Sequence, residues 1–526
     1  MKSFIKKNWL IVVIAAIAIP ALLIRLIMLA DIPRGWNIDE AGTAYDAWCI
    51  AKYGVDRFRY PYPFLFMNYG GGGQSCMYTY LTALLFKVFD FSRFVVRIPA
   101  VVMSMMVMIS GILFLKMTVN DKKQIVIWTL LYAILPYFIM SARLGLDCNL
   151  MLGASSIFIV CLTYALKKET LVYYVVAGIA CGLVLYTYSL SYIVMILFLL
   201  MMFIYLMYMR KLSFKQALCF CIPVALLAAP LIFVQLINIL GLETRTIWKF
   251  TFIRLTGYRI SELSFPKPSN ILIMVKNVFL HDDMEISSNA HYMTLYIISI
   301  PFFVIGIIKG IIGFVKNIRH RSFSLNDTVL LWFTAEFIMG LMLAYPNVNR
   351  LNAIYFAVLF YIVKGIVFVI DSIRQIKLKV CVGSVIFATY AIFAVFFIRF
   401  YFTEEIHNKY LCMEDAYSDV IEFIESQEQL NDLPIYIDEA AYADNVIYIH
   451  YIVSCKTPPS PYDIDLRSNT LEIGRYRFGL PDEEYLTYNA CYVILKSAGG
   501  DNPKLYPLGL KIQELDNGVT VFYPNK

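Results

Sequence analysis

Apolar runs long enough to cross a bilayer recur through the first four hundred residues of this chain, and the basic residues between them fall on one side only. The runs are 9–30, 98–115, 125–140, 150–166, 171–188, 192–209, 217–240, 292–315, 329–344, 351–370 and 380–400, against the roughly 17–25 residues that a membrane helix uses. Threaded alternately, they put Lys116, Lys122 and Lys123, then Lys167 and Lys168, then Arg210, Lys211 and Lys215 on the side of Lys2, Lys6 and Lys7. Lys309, Lys316, Arg319 and Arg321, and then Arg374, Lys377 and Lys379, join them there. Loops rich in Lys and Arg stay in the cytoplasm. One orientation satisfies every cluster: a cytoplasmic N-terminus, about eleven crossings, and everything after Phe400 outside. The expected fold class is a polytopic α-helical membrane protein, read as lying in a bacterial plasma membrane. Composition agrees, with 60% hydrophobic residues, 16% charged residues and a mean hydropathy of +0.66. The net charge of +7 is spread over the loops and forms no basic stripe, which excludes nucleic acid as a partner.

The same threading assigns two long external loops, 31–97 and 241–291. Residues 77–89 are apolar, but a crossing there would push every later basic cluster outside, and the run is short. They are expected to form a helix lying on the outer surface, with 41–53 as a second. The first run is followed by no small-residue cleavage site and reads as a retained anchor. From Tyr401 the chain turns polar and acidic. A helix over 414–428, strands over 433–438 and 492–496, and a hairpin over 510–523 about Asn517-Gly518 predict a small extracytoplasmic α/β domain. The expected division is a membrane domain over 1–400 and an α/β domain over 401–526. The 11 cysteines include no CxxC pair and read as small buried hydrophobes.

Few residues carry candidate chemistry. Asp39 and Glu40 stand side by side just after the first span, in a membrane half otherwise poor in acids. Solvated loop acids are the ordinary reading. Trp36, Tyr45, Trp48 and Tyr53 around them favour a partly desolvated carboxylate, which makes a better general base. Arg143 and Asp147 end two consecutive spans, where a local salt bridge explains them as well as a site role does. Arg350, beside Asn349, and more weakly Arg254 and Arg259, are external arginines that run against the charge rule, which points to phosphate contact. His281 and Asp282 lie in the second loop and are read with them as substrate-binding candidates. His281, Asp283 and Glu285, near His291, could take a divalent metal, the one cofactor considered, although their spacing matches no specific site. Glu336 falls mid-span, Lys364 is expected to snorkel, and Gly70–Gly73 reads as a flexible stretch without the features of a phosphate loop.

The order of these features resembles the GT-C superfamily of membrane glycosyltransferases, and within it the protein O-mannosyltransferase and aminoarabinose transferase branch. The resemblance rests on Asp39-Glu40 after a first span, a Gly54-Val55-Asp56 followed by a glycine-rich aromatic stretch, Arg97-Ile98-Pro99, and Ser141-Ala142-Arg143 with Gly145 and Asp147. It covers about the first two hundred residues and, loosely, Asn349-Arg350. Tyr60-Pro61-Tyr62-Pro63 and the glycine run stand where that branch has a Lys-Pro-Pro or His-Pro-Pro stretch. The resemblance implies two surface helices after the first span and an acidic base in the first external loop, which lands on Asp39 with Glu40 beside it. It also implies a polyprenyl-phosphate-linked sugar donor in the membrane lipid and a glycan, lipid or protein acceptor. An acid in one loop and arginines at neighbouring span ends would supply the base and the charge that such an inverting transfer needs. A transporter or flippase of a lipid-linked glycan is the competing class, and would favour repeated halves and polar pairs at mid-membrane. A glycan-binding sensor is a third.

Overall fold

The computed structural model describes residues 2–69, 71–257, 262–281, 287, 291–403, 416–438, 448–455, 457–464, 471–495, 503–515 and 519–525. Each predicted apolar run contains a helix, although residues 185–188 and 292–298 of two runs are turns or irregular. The long helices are α1 (Lys2–Leu26), α4 (Arg93–Thr118), α7 (Asp147–Lys168), α9 (Ser191–Tyr208), α10 (Phe214–Ile239), α12 (Ser299–His320), α14 (Tyr355–Ser372) and α15 (Ile376–Tyr401). Among the described residues these contain the 8 helices long and apolar enough to span a membrane. A further run is split into α5 (Lys122–Ile134) and α6 (Pro136–Met140), and the bend there is 65°. Pro136 explains it, because Leu135 before it is held extended at φ −72°, ψ 136°. The last two runs form the shorter helices α8 (Leu171–Val184, 14 residues) and α13 (Asp327–Met342, 16 residues).

The first long loop carries two helices, α2 (Ile38–Tyr53) and α3 (Cys76–Phe86). α2 begins three residues earlier than its predicted start at 41, so it takes in both acids. Asn37 caps it by accepting from the Asp39 N–H at 3.0 Å, and two acids in a first turn face the positive end of the helix dipole. The glycine run is not a slack linker. Its described part closes an antiparallel hairpin of β1 (Leu65–Met67) and β2 (Gly73–Ser75), with the Gly72 N–H donating to Asn68 Oδ1 at 2.7 Å. Gly71 has φ +73°, and a Cβ there would lie 2.8 Å from the Gly257 nitrogen. A second hairpin, β3 (Arg245–Ile247) with β4 (Phe250–Phe252), lies against the first loop through Pro63 and Thr251. In the second loop the short helix α11 (Asn270–Val275) runs into a π-turn over Lys276–Leu280.

Beyond α15 the described residues build a six-stranded mixed sheet. In chain order its strands are β5 (Ile435–Ile437), β6 (Leu471–Ile473), β7 (Tyr476–Phe478), β8 (Cys491–Leu495), β9 (Lys511–Glu514) and β10 (Val519–Tyr523). They lie side by side as β6-β7-β5-β8-β10-β9, with β5 parallel to both its neighbours. The predicted hairpin is present as the antiparallel β9–β10 pair; its turn lies outside the described residues. Helix Ala416–Ser426 packs Val420, Ile421 and Ile424 into the same core. This unit rests on α2: the Tyr45 hydroxyl donates to Pro459 O at 3.2 Å, and Arg59 donates to Pro461 O and Ile464 O, each at 2.9 Å.

Candidate active site

Four segments meet around the start of α2. Glu40 is fully buried and forms a two-pronged ion pair with Arg97 of α4, Nε to Oε1 at 2.8 Å and Nη2 to Oε2 at 2.9 Å. Its Oε1 also accepts from the Gly145 N–H at 2.7 Å. Arg97 then spends its remaining donors on the carbonyls of Leu29, Pro33 and Gly35, each at 3.0 Å. This knot ties the end of the first span, α2, α4 and the 141–147 turn together. It also corrects the expectation for Glu40, whose two oxygens are committed to holding the frame.

Arg143 is corrected in the same way. It is fully buried, and its guanidinium reaches back across the chain to the end of α1. Nη1 donates to Ile24 O at 2.7 Å and Arg25 O at 3.1 Å, and Nη2 to Ile27 O at 2.8 Å and Met28 O at 2.9 Å. Nε bonds Ile32 O at 3.2 Å. A helix leaves its last carbonyls without partners; Arg143 donates to two of these, Ile24 O and Arg25 O, and to carbonyls of the turn that follows. It therefore neither pairs with Asp147 nor offers a donor to a phosphate.

Asp39, one residue before Glu40, is partly exposed. Positions four and seven further along the same helical face are Thr43 and Asp46. Thr43 Oγ1 accepts from Gln74 Nε2 at 2.9 Å, and the neighbouring Ser75 N–H donates to Asp147 Oδ2 at 3.4 Å. Asp147 opens α7. There the Cys148 carbonyl accepts from the Asn352 side chain, which brings in the turn holding Asn349 and Arg350. Asp39, Asp147 and Arg350, far apart in sequence, thus belong to adjoining segments. Arg350 keeps a side chain 22% exposed, 3.4 Å from Glu262 and donating to Tyr345 O at 3.1 Å, and Asn349 is partly exposed beside it.

Deeper in α2 lies a charged cluster that sequence reasoning did not single out. The Asp46 Oδ1 accepts from the Arg57 N–H at 2.9 Å, and its Oδ2 lies 3.6 Å from Arg57 Nε. The Arg57 guanidinium also holds Tyr69 Oη at 2.8 Å and Met67 O at 2.6 Å. Asp56 Oδ1 accepts from the N–H groups of Phe58 and Tyr60 at 2.9 and 2.8 Å, while its Oδ2 has no hydrogen-bond partner among the described residues. Burial, and then the charge of Asp46, push the Asp56 carboxyl up to about 8. Burial raises Asp46 as well, against the pull of Arg57. The only sequence signal was Gly54-Val55-Asp56, since nothing in the spacing says that these acids are enclosed.

The other expectations scatter. Arg254 is exposed, with its N–H on Thr244 Oγ1 at 2.9 Å. His281 ends the π-turn and is partly buried. Arg259, Asp282, Asp283 and Glu285 lie outside the described residues, and among those described no three His, Cys, Asp or Glu side chains cluster as a metal site would. Glu336 is buried in α13, and neither of its oxygens has a hydrogen-bond partner among the described residues.

Residues 74–237 match the family described as dolichyl-phosphate-mannose-protein mannosyltransferase, a stretch that holds Arg97, Arg143 and Asp147 but neither Asp39 nor Arg350. No curated protein matches the chain. The crystal structure of ArnT from Cupriavidus metallidurans in the apo state shares 10% identity with it, covers 98% of both chains and superposes with a TM-score of 0.59. The same protein bound to undecaprenyl phosphate shares 11% identity over 98% of both chains, with a TM-score of 0.51. The chain is therefore an integral membrane protein of GT-C fold, similar in fold to the Cupriavidus ArnT over nearly its whole length and in sequence to the protein mannosyltransferase family over residues 74–237.

Proposed function

We propose that this protein is a glycosyltransferase that moves a hexosyl or pentosyl unit from a polyprenyl-phosphate-linked donor to a hydroxyl of a glycan, lipid or protein acceptor at the outer membrane face. Asp39 is the general base, and the anomeric centre inverts. One observation carries the reading: of two adjacent acids, Glu40 is locked into the frame while Asp39 stays partly exposed where α2, the β2–α3 junction, the 141–147 turn and the 345–352 turn adjoin. The fold supports it, since the Cupriavidus protein of the same fold binds undecaprenyl phosphate.

In the proposed step the acceptor oxygen attacks the anomeric carbon as its proton passes to the Asp39 carboxylate. The bond from that carbon to the phosphate oxygen breaks, and its electron pair leaves with the polyprenyl phosphate. The leaving group is already a stable anion and needs a cation rather than an acid. Arg350 fills that role better than Arg143, because its side chain is partly exposed whereas that of Arg143 is fully buried. A single displacement inverts the configuration.

Asp39→Asn tests the assignment. The amide keeps the helix cap and the shape but cannot take the proton, so transfer of labelled sugar from membrane lipid should fall by about 10²-fold or more at unchanged protein level and thermal stability. Turnover within a few-fold of the native rate would remove Asp39 as the base.

A further inference from the structure

At the opposite end of the bundle, where the basic clusters gather, α12 and α14 part company. Higher up they touch backbone to backbone: a Cβ on Gly306 would run into the Tyr361 carbonyl, and one on Gly365 into the Phe302 carbonyl. Glycine contacts of this kind let membrane helices approach closely. Two turns further along α12, Gly313 has nothing within 4 Å of where a Cβ would stand. The gap is a cavity of about 210 Å³, closed on its third side by the start of α13 and lined by Lys309, Lys364, Asn317, Asn326 and Asp327.

The charges in this wall are unbalanced. Among the described residues neither Lys309 nor Lys364 makes an ion pair or hydrogen bond; their ammonium groups lie over Phe368 at 4.2 Å and Phe360 at 5.2 Å. Asp327, the one acid in the lining, makes no ion pair with either lysine; its oxygens accept from the Tyr205 hydroxyl and from Asn317 Nδ2 at 3.2 and 3.0 Å, so two lysines face a single carboxylate and the wall keeps an excess of positive charge. Asp121, the other acid within electrostatic reach of Lys364, is committed to the cap of α5. The Asn326 Oδ1 is buried and has no hydrogen-bond partner among the described residues. Next to these lining residues in the chain the helices expose apolar side chains, Ile308 and Ile312 on α12 and Phe368 on α14, at 49%, 56% and 42%.

We propose that this wedge binds one anionic phospholipid, its phosphate between Lys309 and Lys364 and a headgroup hydroxyl donating to Asn326 Oδ1. Two unpaired ammonium groups call for an anion, an unpaired acceptor calls for a donor beside it, and an apolar flank at bilayer depth calls for acyl chains attached to both. Phosphatidylglycerol has all three parts. Phosphatidic acid lacks the headgroup hydroxyl, phosphatidylcholine lacks the net charge, and soluble glycerol phosphate lacks the chains. The site lies away from Asp39 and does not depend on the reaction proposed above.

The test uses the full-length protein in phosphatidylcholine nanodiscs titrated with each lipid, read by native mass spectrometry as lipid retained. The native protein should hold one phosphatidylglycerol at least about tenfold more tightly than phosphatidylcholine. Lys309→Gln with Lys364→Gln should abolish that preference, and Lys309→Arg with Lys364→Arg should keep it. Asn326→Ala should weaken phosphatidylglycerol but not phosphatidic acid. Lys116→Gln with Lys167→Gln, in a different basic groove, controls for general attraction to anionic lipid and should leave the tight lipid in place. Equal retention of the two lipids by the native protein, or undiminished phosphatidylglycerol on the glutamine pair, overturns the proposal. Displacement of the lipid by equimolar glycerol phosphate would overturn the lipid assignment in favour of a soluble phosphate. Size-exclusion profiles check that each variant is folded.

Discussion

Adjacent residues on a helix point about 100° apart, and that rotation separates Asp39 from Glu40. The sequence displays the pair but not which member faces Arg97, because that depends on α2 starting at Ile38 rather than at 41. The arginines show the same limit. Arg143 and Arg350 both look like external cations, yet one is buried against the end of a helix and the other keeps a partly exposed side chain beside Glu262. Their substitutions should behave differently. Arg350→Ala is expected to slow transfer at least about tenfold while leaving the protein stable, and Arg350→Lys to recover part of the rate, since an ammonium keeps the charge but not the fork. Arg143→Lys should instead lower the yield of folded protein, because one ammonium cannot satisfy carbonyls at both Ile24 and Ile32. Labelled-sugar transfer set against fluorescence-detected size exclusion separates the two effects.

Among elements, those that face lipid were the legible ones: bilayer thickness sets their length and charge sets their direction. The hairpin of β1 and β2 was read as slack because glycines carry no pattern, whereas the chain uses Gly71 where another strand of backbone passes close. The enclosure of Asp46 and Asp56 escaped for a related reason, as it comes from segments remote in sequence. Asp56 offers a test by pH. Its folded carboxyl sits near 8, above the usual value of about 3.9 for an unfolded chain. Its contribution to stability is therefore complete below about pH 4 and is lost as pH rises through about 8. Asp56→Asn copies the neutral form and should flatten that part of the decline. Apparent Tm of the variant minus that of the native protein should grow between pH 5 and pH 8; a constant difference would show that Asp56 ionises normally.

For the whole molecule, hydropathy announced the membrane bundle and a composition change at Tyr401 announced the α/β unit, but not that the unit leans on α2. That contact needs Tyr45 and Arg59 to meet backbone carbonyls around Pro459 and Ile464, and carbonyls have no sequence signature. Because α2 carries Asp39, loosening the contact should disturb the site from a distance. Arg59→Ala, combined with Tyr45→Phe, is expected to expose the segment near Pro461 to limited proteolysis and to raise KM for the acceptor more than it lowers kcat. Unchanged cleavage would mean that other contacts hold the unit in place.

The grip of Arg143 on the first span has a consequence for biogenesis. The carbonyls it satisfies, from Ile24 to Ile32, precede it by more than a hundred residues. A chain emerging from the ribosome at about 5–20 residues per second has its first helix in the membrane for several seconds before the clasp arrives. Until then the segment holding Asp39 hangs from an unfinished end, so assembly of the site must follow insertion of α5 and α6, and a nascent chain arrested short of residue 143 should leave that segment open to added protease.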